Sequence, residues 1–329
     1  EASDASGSGY FDPVRREWDE KALETVDARL AQCVPRLVGP TECVGCVRDE
    51  VARLLGLAAG GAVRVAPGGG DNAMSALAAG AVQDGTMVMS LGTSGTLFGC
   101  SSTPVVDKSG VICPFCDATG AYLPLICTLN CTEVGEDVRK SAGLSHAEIT
   151  ALAAAEEAGC SGLNYLPYLR GERTPNWPQA SGALVGIRHD MIGKWGLLYR
   201  AALEGVTYSL LAGVNQMKAF GVSKVSELKL VGGGAKNALW GEIIASCFGV
   251  PVTVVEEAET AAMGAALQAA AMLNLGAAGE GEGGAKGMKA FMAAHGPPPG
   301  KTIQPVAGDA KLYQAAFERH EKLGGKLFG

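Results

Sequence analysis

An α/β architecture built round a mainly parallel sheet is predicted for this 329-residue chain, on three observations. Short apolar, β-branched runs alternate with Ala- and Leu-rich stretches of helical period, as strand–helix–strand units require. Three of the sharpest breaks are glycine clusters that follow a predicted strand: Gly68–Gly70, Gly92–Gly95 and Gly232–Gly234. Glycine supplies 47 residues, roughly double ordinary usage, and shows no three-residue period.

Residues 1–66 mix a polar opening with helices expected over Asp19–Leu30 and Thr41–Leu55. Val63–Ala66 reads as a short strand, Gly68–Asn72 breaks it, and an Ala-rich helix follows over Ala73–Val82. Thr86–Leu91 is a strand, Gly92-Thr93-Ser94-Gly95 a tight turn, and Thr96–Cys100 the returning strand. Leu123–Thr128 is apolar enough for a buried strand. A long helix is expected over Lys194–Phe220, where Leu197, Leu198, Ala201, Ala202, Val206 and Leu210 recur at helical spacing. Glu227–Val231 is the next strand. Asn237 is placed to cap a helix that runs to Phe248 and stops at Gly249, before strand Val252–Glu256. Thr260 opens the last strong helix. Residues 276–287 are low in complexity and read as an exposed loop, followed by Pro297–Pro299 and a polar helix over Asp309–Leu323.

Composition excludes several classes. Apolar residues make up 47% and charged residues 19%, and the mean hydropathy is +0.16, which excludes wholesale disorder. The balance of 27 basic and 34 acidic residues gives a net charge of −7. A sequence-independent grip on nucleic acid or anionic lipid is therefore not expected. No apolar stretch reaches the ~18–20 residues of a membrane helix, and Ala261–Leu275 reads as a packed helix. The chain opens at Glu1 with no basic, then apolar, then small-residue leader. Ten scattered cysteines suit reduced thiols in a cell interior, which makes the cytoplasm the expected compartment with an organelle such as a plastid left open. Two Cys-x-x-Cys pairs, Cys43/Cys46 and Cys113/Cys116, are read as coincidence ahead of zinc binding or a redox pair, because long intervening sequence separates them.

Backbone N–H groups in glycine-rich turns can cradle phosphate oxygens, since glycine permits close approach and unusual dihedrals. None of the three turns is a Walker or dinucleotide fingerprint, and a plain strand-to-helix turn is the bland alternative for each. Asp71, directly after the first cluster, has two readings: a helix N-cap, or a general base for a substrate hydroxyl in phosphoryl transfer. The Ser90–Thr96 segment offers hydroxyls with its N–H groups, as a β/γ-phosphate hairpin would, and a plain hairpin turn is the alternative.

Four ordered segments, Gly68-Gly69-Gly70-Asp71-Asn72-Ala73, Ser90-Leu91-Gly92-Thr93-Ser94-Gly95, Tyr165-Leu166-Pro167-Tyr168-Leu169-Arg170-Gly171-Glu172-Arg173-Thr174-Pro175 and Val231-Gly232-Gly233-Gly234-Ala235, closely resemble the FGGY carbohydrate kinases. Asp4-Ala5-Ser6-Gly7, Trp18, Leu203-Glu204-Gly205 and Gly249-Val250-Pro251-Val252 lie in the matching order, so the resemblance runs from residue 1 to about residue 275. It implies an actin-like ATPase fold of two related α/β domains facing each other across a cleft. It further implies ATP and Mg²⁺ as cofactors, with Mg²⁺ bridging the phosphates. Asp71 would be the catalytic base, Gly92, Thr93 and Ser94 would sit at the β/γ-phosphates, and Gly233, Gly234 and Asn237 nearest the adenosine. The Glu172-Arg173 loop is read as lining the cleft, tying domains together, or forming a structural ion pair.

Within the family the likeness is greatest to members that phosphorylate D-xylulose, giving D-xylulose 5-phosphate; ribulose, glycerol or another polyol is the neighbouring alternative. Residues 1–84 would be the end of the N-terminal domain, 85–275 the C-terminal nucleotide-binding domain, and 276–329 a low-complexity loop and terminal helix. No Asp-x-Gly-Thr phosphate hairpin precedes Glu1, so the chain reads as lacking most of the first domain, and with it a metal-associated Asp. Metal ligands and oligomeric state are not assigned. Trp195-Gly196 and the segment Cys113–Val134 depart from the family pattern. The partner expected is a small-molecule sugar, with no nucleic acid and no membrane, and possible completion by a missing N-terminal domain. A nucleotide-binding module inactive without that domain is the competing reading, and a zinc-bound or redox-regulated protein the third.

Overall fold

The computed structural model describes all residues except 223, 257–258, 276–281, 297 and 299. Its centre is a seven-stranded sheet made of β1 (Thr86–Leu91), β2 (Gly95–Gly99), β3 (Cys113–Cys116), β4 (Tyr122–Thr128), β5 (Glu227–Val231), β6 (Val252–Val254) and β7 (Thr302–Ile303). The spatial order is β7-β6-β5-β1-β2-β4-β3. Only β6 with β5 and β5 with β1 pair in parallel; the other four pairings are antiparallel. The expectation of a mainly parallel sheet is corrected accordingly. The physical reason lies in the connections: β1 turns straight into β2 through a tight hairpin, which can only deliver an antiparallel neighbour.

Side-chain alternation along the strands sorts two cores. Met87, Met89 and Leu91 of β1 face one way, with Leu228 and Leu230 of β5 and Val252 of β6. That face is covered by α4 (Trp195–Ala219), α5 (Ala238–Phe248) and α8 (Ala310–Phe328). Val88, Phe98, Leu123, Leu125 and Val231 face the other way, against α1 (Asp71–Ala78), α6 (Thr260–Leu275) and α7 (Glu282–His295). Between β4 and α4 lie α2 (Thr132–Ala142) and α3 (His146–Ala154). Ser145 and Glu148 form a reciprocal capping box at the start of α3. As expected, Asn237 caps α5 by accepting from Trp240 N–H, and Gly249 ends it in a left-handed conformation.

Several expected elements differ. The helix expected over Thr41–Leu55 is confined to Asp49–Leu54. Ahead of it Gly45–Cys46 pairs with Arg64–Val65, fixed by Val44 N–H to Val65 C=O and Val47 N–H to Val63 C=O. The helix expected over Asp19–Leu30 ends at Val26, where extended Asp27 starts a new turn. Part of the expected loop 276–287 is helical. Residues 276–281 lie outside the described residues, but α7 begins at Glu282, because Met288 and Met292 are buried on the core face they share with α6. Tertiary burial overrides the low helix propensity of glycine there. All ten cysteines are free thiols. Cys113 and Cys116 lie three apart on β3, and their side chains enter different apolar clusters on opposite faces, so they do not form a redox pair.

Helix α8 buries Tyr313, Ala316, Phe317, His320 and Gly324 along one stripe. His320 is held by Asn164 Oδ1 at 3.0 Å on Nδ1 and by the Tyr168 hydroxyl at 3.0 Å on Nε2. Burial pushes its pKa down to about 3. The unfolded ring takes a proton near pH ~6.5, so the unfolded state binds more protons between the two values and stability falls as pH drops through that window. By pH ~5 the loss is on the order of 2 kcal/mol, and above pH ~6.5 it vanishes. Denaturant titrations at pH 5, 6 and 8 should show this slope, and His320→Gln should flatten it. Equal slopes in both proteins would remove His320 as the cause.

Candidate active site

The parallel pairing of β1 and β5 is in register from Glu227 opposite Thr86 to Val231 opposite Ser90. Both strands therefore release their chains at the same edge of the sheet, and two of the three glycine turns meet there. Gly232 has φ +88°, and a Cβ on it would lie 2.9 Å from Leu91 O. A Cβ on Gly234 would lie 2.7 Å from Leu91 Cβ and 2.8 Å from the Trp240 ring. Glycine is required at these two positions by that approach. Gly92 is fastened from the opposite side, its carbonyl accepting from Thr132 N–H at 3.0 Å and from the Thr132 hydroxyl at 2.8 Å. Thr93 and Ser94 stand exposed at the hairpin tip, with Gly92 N–H bonded to Ser94 C=O at 3.2 Å.

Beside the turns opens a cavity of about 850 Å³, lined by Gly233, Gly234 and Asn237 and walled by α2, α3, α4 and the start of α5. Small residues let the helices that form its walls crowd together. A Cβ on Gly135 would touch the Tyr199 ring at 3.2 Å, and one on Gly196 would lie 2.6 Å from the backbone of Leu152, which gives Gly196 a packing reason. Asn237 does double duty. Its Oδ1 accepts from Trp240 N–H, while its Nδ2 donates to the Tyr199 hydroxyl at 3.2 Å and to the Thr150 hydroxyl at 3.4 Å. Burial raises the pKa of Tyr199, which keeps the phenol neutral. Glu136 on the rim is held by Arg139 at 2.9 Å, and those hydrogen bonds lower its pKa. The cavity thus presents apolar walls with a few convergent polar groups, the make-up of a small-molecule site.

Sequence reasoning placed Gly233, Gly234 and Asn237 together and missed Thr132, Gly135, Glu136, Thr150 and Tyr199. Ala147, Ala151 and Ala154, a small-residue face on α3, also line the cavity and were the signal available.

Asp71 lies elsewhere, in a smaller cleft of about 140 Å³ shared with Asp4, Asn72, Phe115 and Leu123. The N-cap reading of Asp71 is corrected: Gly70 is the N-cap of α1 and Asp71 its first helical residue. Its carboxylate is exposed and accepts from Asn72 N–H at 2.8 Å. Glu172, by contrast, is buried and accepts from Leu129 N–H, Arg173 N–H and Asn130 Nδ2. Burial raises its pKa. Its partners tie the Tyr165–Pro175 loop to the end of β4, in place of the ion-pair alternative. Among the described residues no group of three or more His, Cys, Asp or Glu could hold a metal ion, the Cys-x-x-Cys pairs included.

The FGGY family of carbohydrate kinases, C-terminal domain, matches residues 87–273, and the N-terminal domain of the same family matches residues 1–78. The chain therefore carries sequence of both domains, the first over residues 1–78, which corrects in part the expectation that most of the first is lacking. Over 270 residues it is 42% identical to the xylulose kinase of Streptomyces rubiginosus, covering 82% of this chain and 53% of that protein. Over 284 residues it is 34% identical to the xylulose kinase of Haemophilus influenzae, covering 86% of this chain and 56% of that one. The crystal structure of a xyloylose kinase from Brucella ovis aligns with a TM-score of 0.86 at 29% identity, over 99% of this chain and 64% of its own. The chain spans about half the length of the curated relatives it matches. The fold is that of these sugar kinases, the actin-like ATPase fold that the family resemblance implied. With 187 of its 329 residues inside the C-terminal-domain match, the chain belongs to the FGGY family of carbohydrate kinases.

Proposed function

We propose that this chain serves an ATP-dependent, xylulokinase-like phosphoryl transfer to the terminal hydroxyl of a ketopentose, D-xylulose first, yielding D-xylulose 5-phosphate. The observation that carries the reading is the close approach of the Gly232–Gly234 turn to Leu91, the residue before Gly92, beside an 850 Å³ cavity. Gly233, Gly234 and Asn237 line that cavity and the Gly92–Ser94 tip does not, which suits a nucleotide with its phosphates toward the turns. Adenosine fits the apolar walls, with Gly233, Gly234 and Asn237 nearest to it. Gly92, Thr93 and Ser94 offer N–H groups and hydroxyls to the β- and γ-phosphates. The choice of D-xylulose rests on the names of the relatives, and the alternative acceptor is another sugar or polyol. We divide the chain at residues 84 and 275, close to the limits of the two family matches. The ten free thiols suit the cytoplasm.

In the reaction so read, the Asp71 carboxylate takes the proton of the sugar hydroxyl as its oxygen bonds to the γ-phosphorus. The bond from that phosphorus to the bridging oxygen breaks, and ADP leaves with the electron pair. The N–H groups of the two turns oppose charge gathering on the transferred group. Mg²⁺ neutralises phosphate charge in such transfers.

Asp71→Asn should lower sugar phosphorylation by about 10²–10⁴-fold while leaving ATP affinity within about twofold, as expected for loss of a general base. Steady-state kinetics with calorimetric ATP titration check this, and near-parental turnover would remove the base assignment. A chain that binds ATP yet phosphorylates no sugar would favour the nucleotide-binding module. Ala151 is exposed on the cavity wall, so a large side chain there should fill the cavity without disturbing the core. Ala151→Trp should weaken ATP binding by about tenfold or more, roughly 1.4 kcal/mol, with little change in melting temperature. Unaltered affinity would take the cavity out of the reading.

A further inference from the structure

The turn that carries Asp71 is held from two sides, and the inner hold comes from a helix that the reaction does not otherwise use. Helix α6 crosses α1 so closely that a Cβ on Gly264 would overlap Met74 O. The Thr260 hydroxyl adds a 3.1 Å bond to the Ser75 hydroxyl across the same crossing. One turn beyond Gly264, on the same face, Gln268 is fully buried at 0% exposure. Its Oε1 accepts from Gly68 N–H at 3.0 Å and its Nε2 donates to Gly68 C=O at 2.8 Å. Gly68 sits at φ +75°, three residues before Asp71. On the outer side, Ser3 Oγ accepts from Gly70 N–H at 3.1 Å and donates to the Glu1 carboxylate.

A buried amide costs desolvation that an apolar side chain would not. The neighbours of Gln268 along α6, Ala261, Ala265, Ala271 and Met272, pack as apolar side chains. Filling the crossing would therefore be served by methionine or leucine. What glutamine adds is a two-point grip on both backbone polar groups of one residue, Gly68, which ties down the two peptide units that flank it and fixes which way each faces. The grip also crosses between domains. Gln268 lies in the C-terminal-domain match and Gly68 in the N-terminal-domain match.

We infer that Gln268 is a positioning residue, which holds the Asp71 turn to the domain carrying the nucleotide turns so that base and phosphate keep one geometry; this rests on the reading of Asp71 as the base. The test uses the full chain with Gln268→Met, which keeps volume and removes both bonds, and Gln268→Glu. Amide hydrogen exchange is followed in residues 66–73 against residues 228–238 as internal reference, alongside sugar-phosphorylation kinetics. Gln268→Met should speed exchange in 66–73 about tenfold or more with the reference unchanged. It should lower kcat about 10–100-fold at unchanged KM for ATP, as a displaced catalytic group does.

Protonated glutamic acid can still accept from Gly68 N–H and donate to its carbonyl. Gln268→Glu should therefore recover the parental exchange ratio as pH falls, a rescue that simple loss of packing would not show. Unchanged exchange in 66–73 overturns the inference, as does faster exchange with unaltered kcat. Faster exchange in both segments points to general loosening and likewise overturns it. A parent chain without sugar phosphorylation overturns the kinase reading instead, and the exchange ratio with its pH rescue then decides by itself whether Gln268 clamps the turn.

Discussion

The five-residue parallel ladder between β1 and β5 is the constraint on which the rest of the structure depends. Parallel strands in register end together, so the chain that leaves Leu91 and the chain that leaves Val231 emerge side by side. Each must turn at once, and the space between them admits no Cβ at Gly232 or Gly234. The antiparallel strands then serve the same corner. β2 carries the chain back from the hairpin, β4 returns beside it, and the Thr128 hydroxyl bonds Gly95 C=O at 3.3 Å. From the end of β4 the chain enters α2, whose first residue, Thr132, fastens Gly92. Strand pairing thus closes a loop of contacts round the turns before any ligand is present.

A second constraint keeps the cavity walls in place. On α4, Arg200 and Glu204 form a buried ion pair at 2.9 Å. Glu204 also accepts from Gly159 N–H at 3.0 Å and the Tyr208 hydroxyl at 3.1 Å, while Arg200 reaches the Tyr313 hydroxyl of α8 at 2.9 Å. Removing either ion would leave the other buried and alone, which costs about 3–5 kcal/mol in comparable pairs. The network joins α4, α8 and the Gly159 turn into one unit. Tyr199, next to Arg200 in sequence, is thereby presented to Asn237 at a fixed angle, and the cavity keeps its polar corner.

Elements whose cause is local were legible in the sequence. The limits of β1 and β5 follow from apolar alternation ended by glycine, and the limits of α5 from Asn237 at one end and Gly249 at the other. Elements whose cause is distant were not. Nothing near residues 44–47 announces that Val63–Val65 will pair with them, and nothing in a glycine-rich stretch announces that Met288 and Met292 will be buried. The site divides in the same way. Gly92, Gly233, Gly234 and Asn237 stand in short signatures, whereas Thr150, Tyr199 and Gln268 gain their roles from helix crossings that bring together residues far apart in the chain. The Cys-x-x-Cys spacing at residues 113–116 misleads for a related reason, since on a strand that spacing sends the two thiols to opposite faces.

The position of Asp71 shows how two demands on one turn are met by different residues. A carboxylate at the N-cap would accept from backbone N–H groups inside the helix and stabilise it by about 1 kcal/mol. Here Gly70 takes that position, and α1 begins without a side-chain cap. The hold that capping would supply comes instead from Gln268 on the inside and Ser3 on the outside, both acting on the backbone of Gly68 and Gly70. Among the described residues the Asp71 side chain takes one bond, from its neighbour's N–H, and it faces an open cleft. A turn that held itself with its own acid would have that acid engaged. One held by an amide and a hydroxyl from outside leaves the acid free for the base role proposed for it.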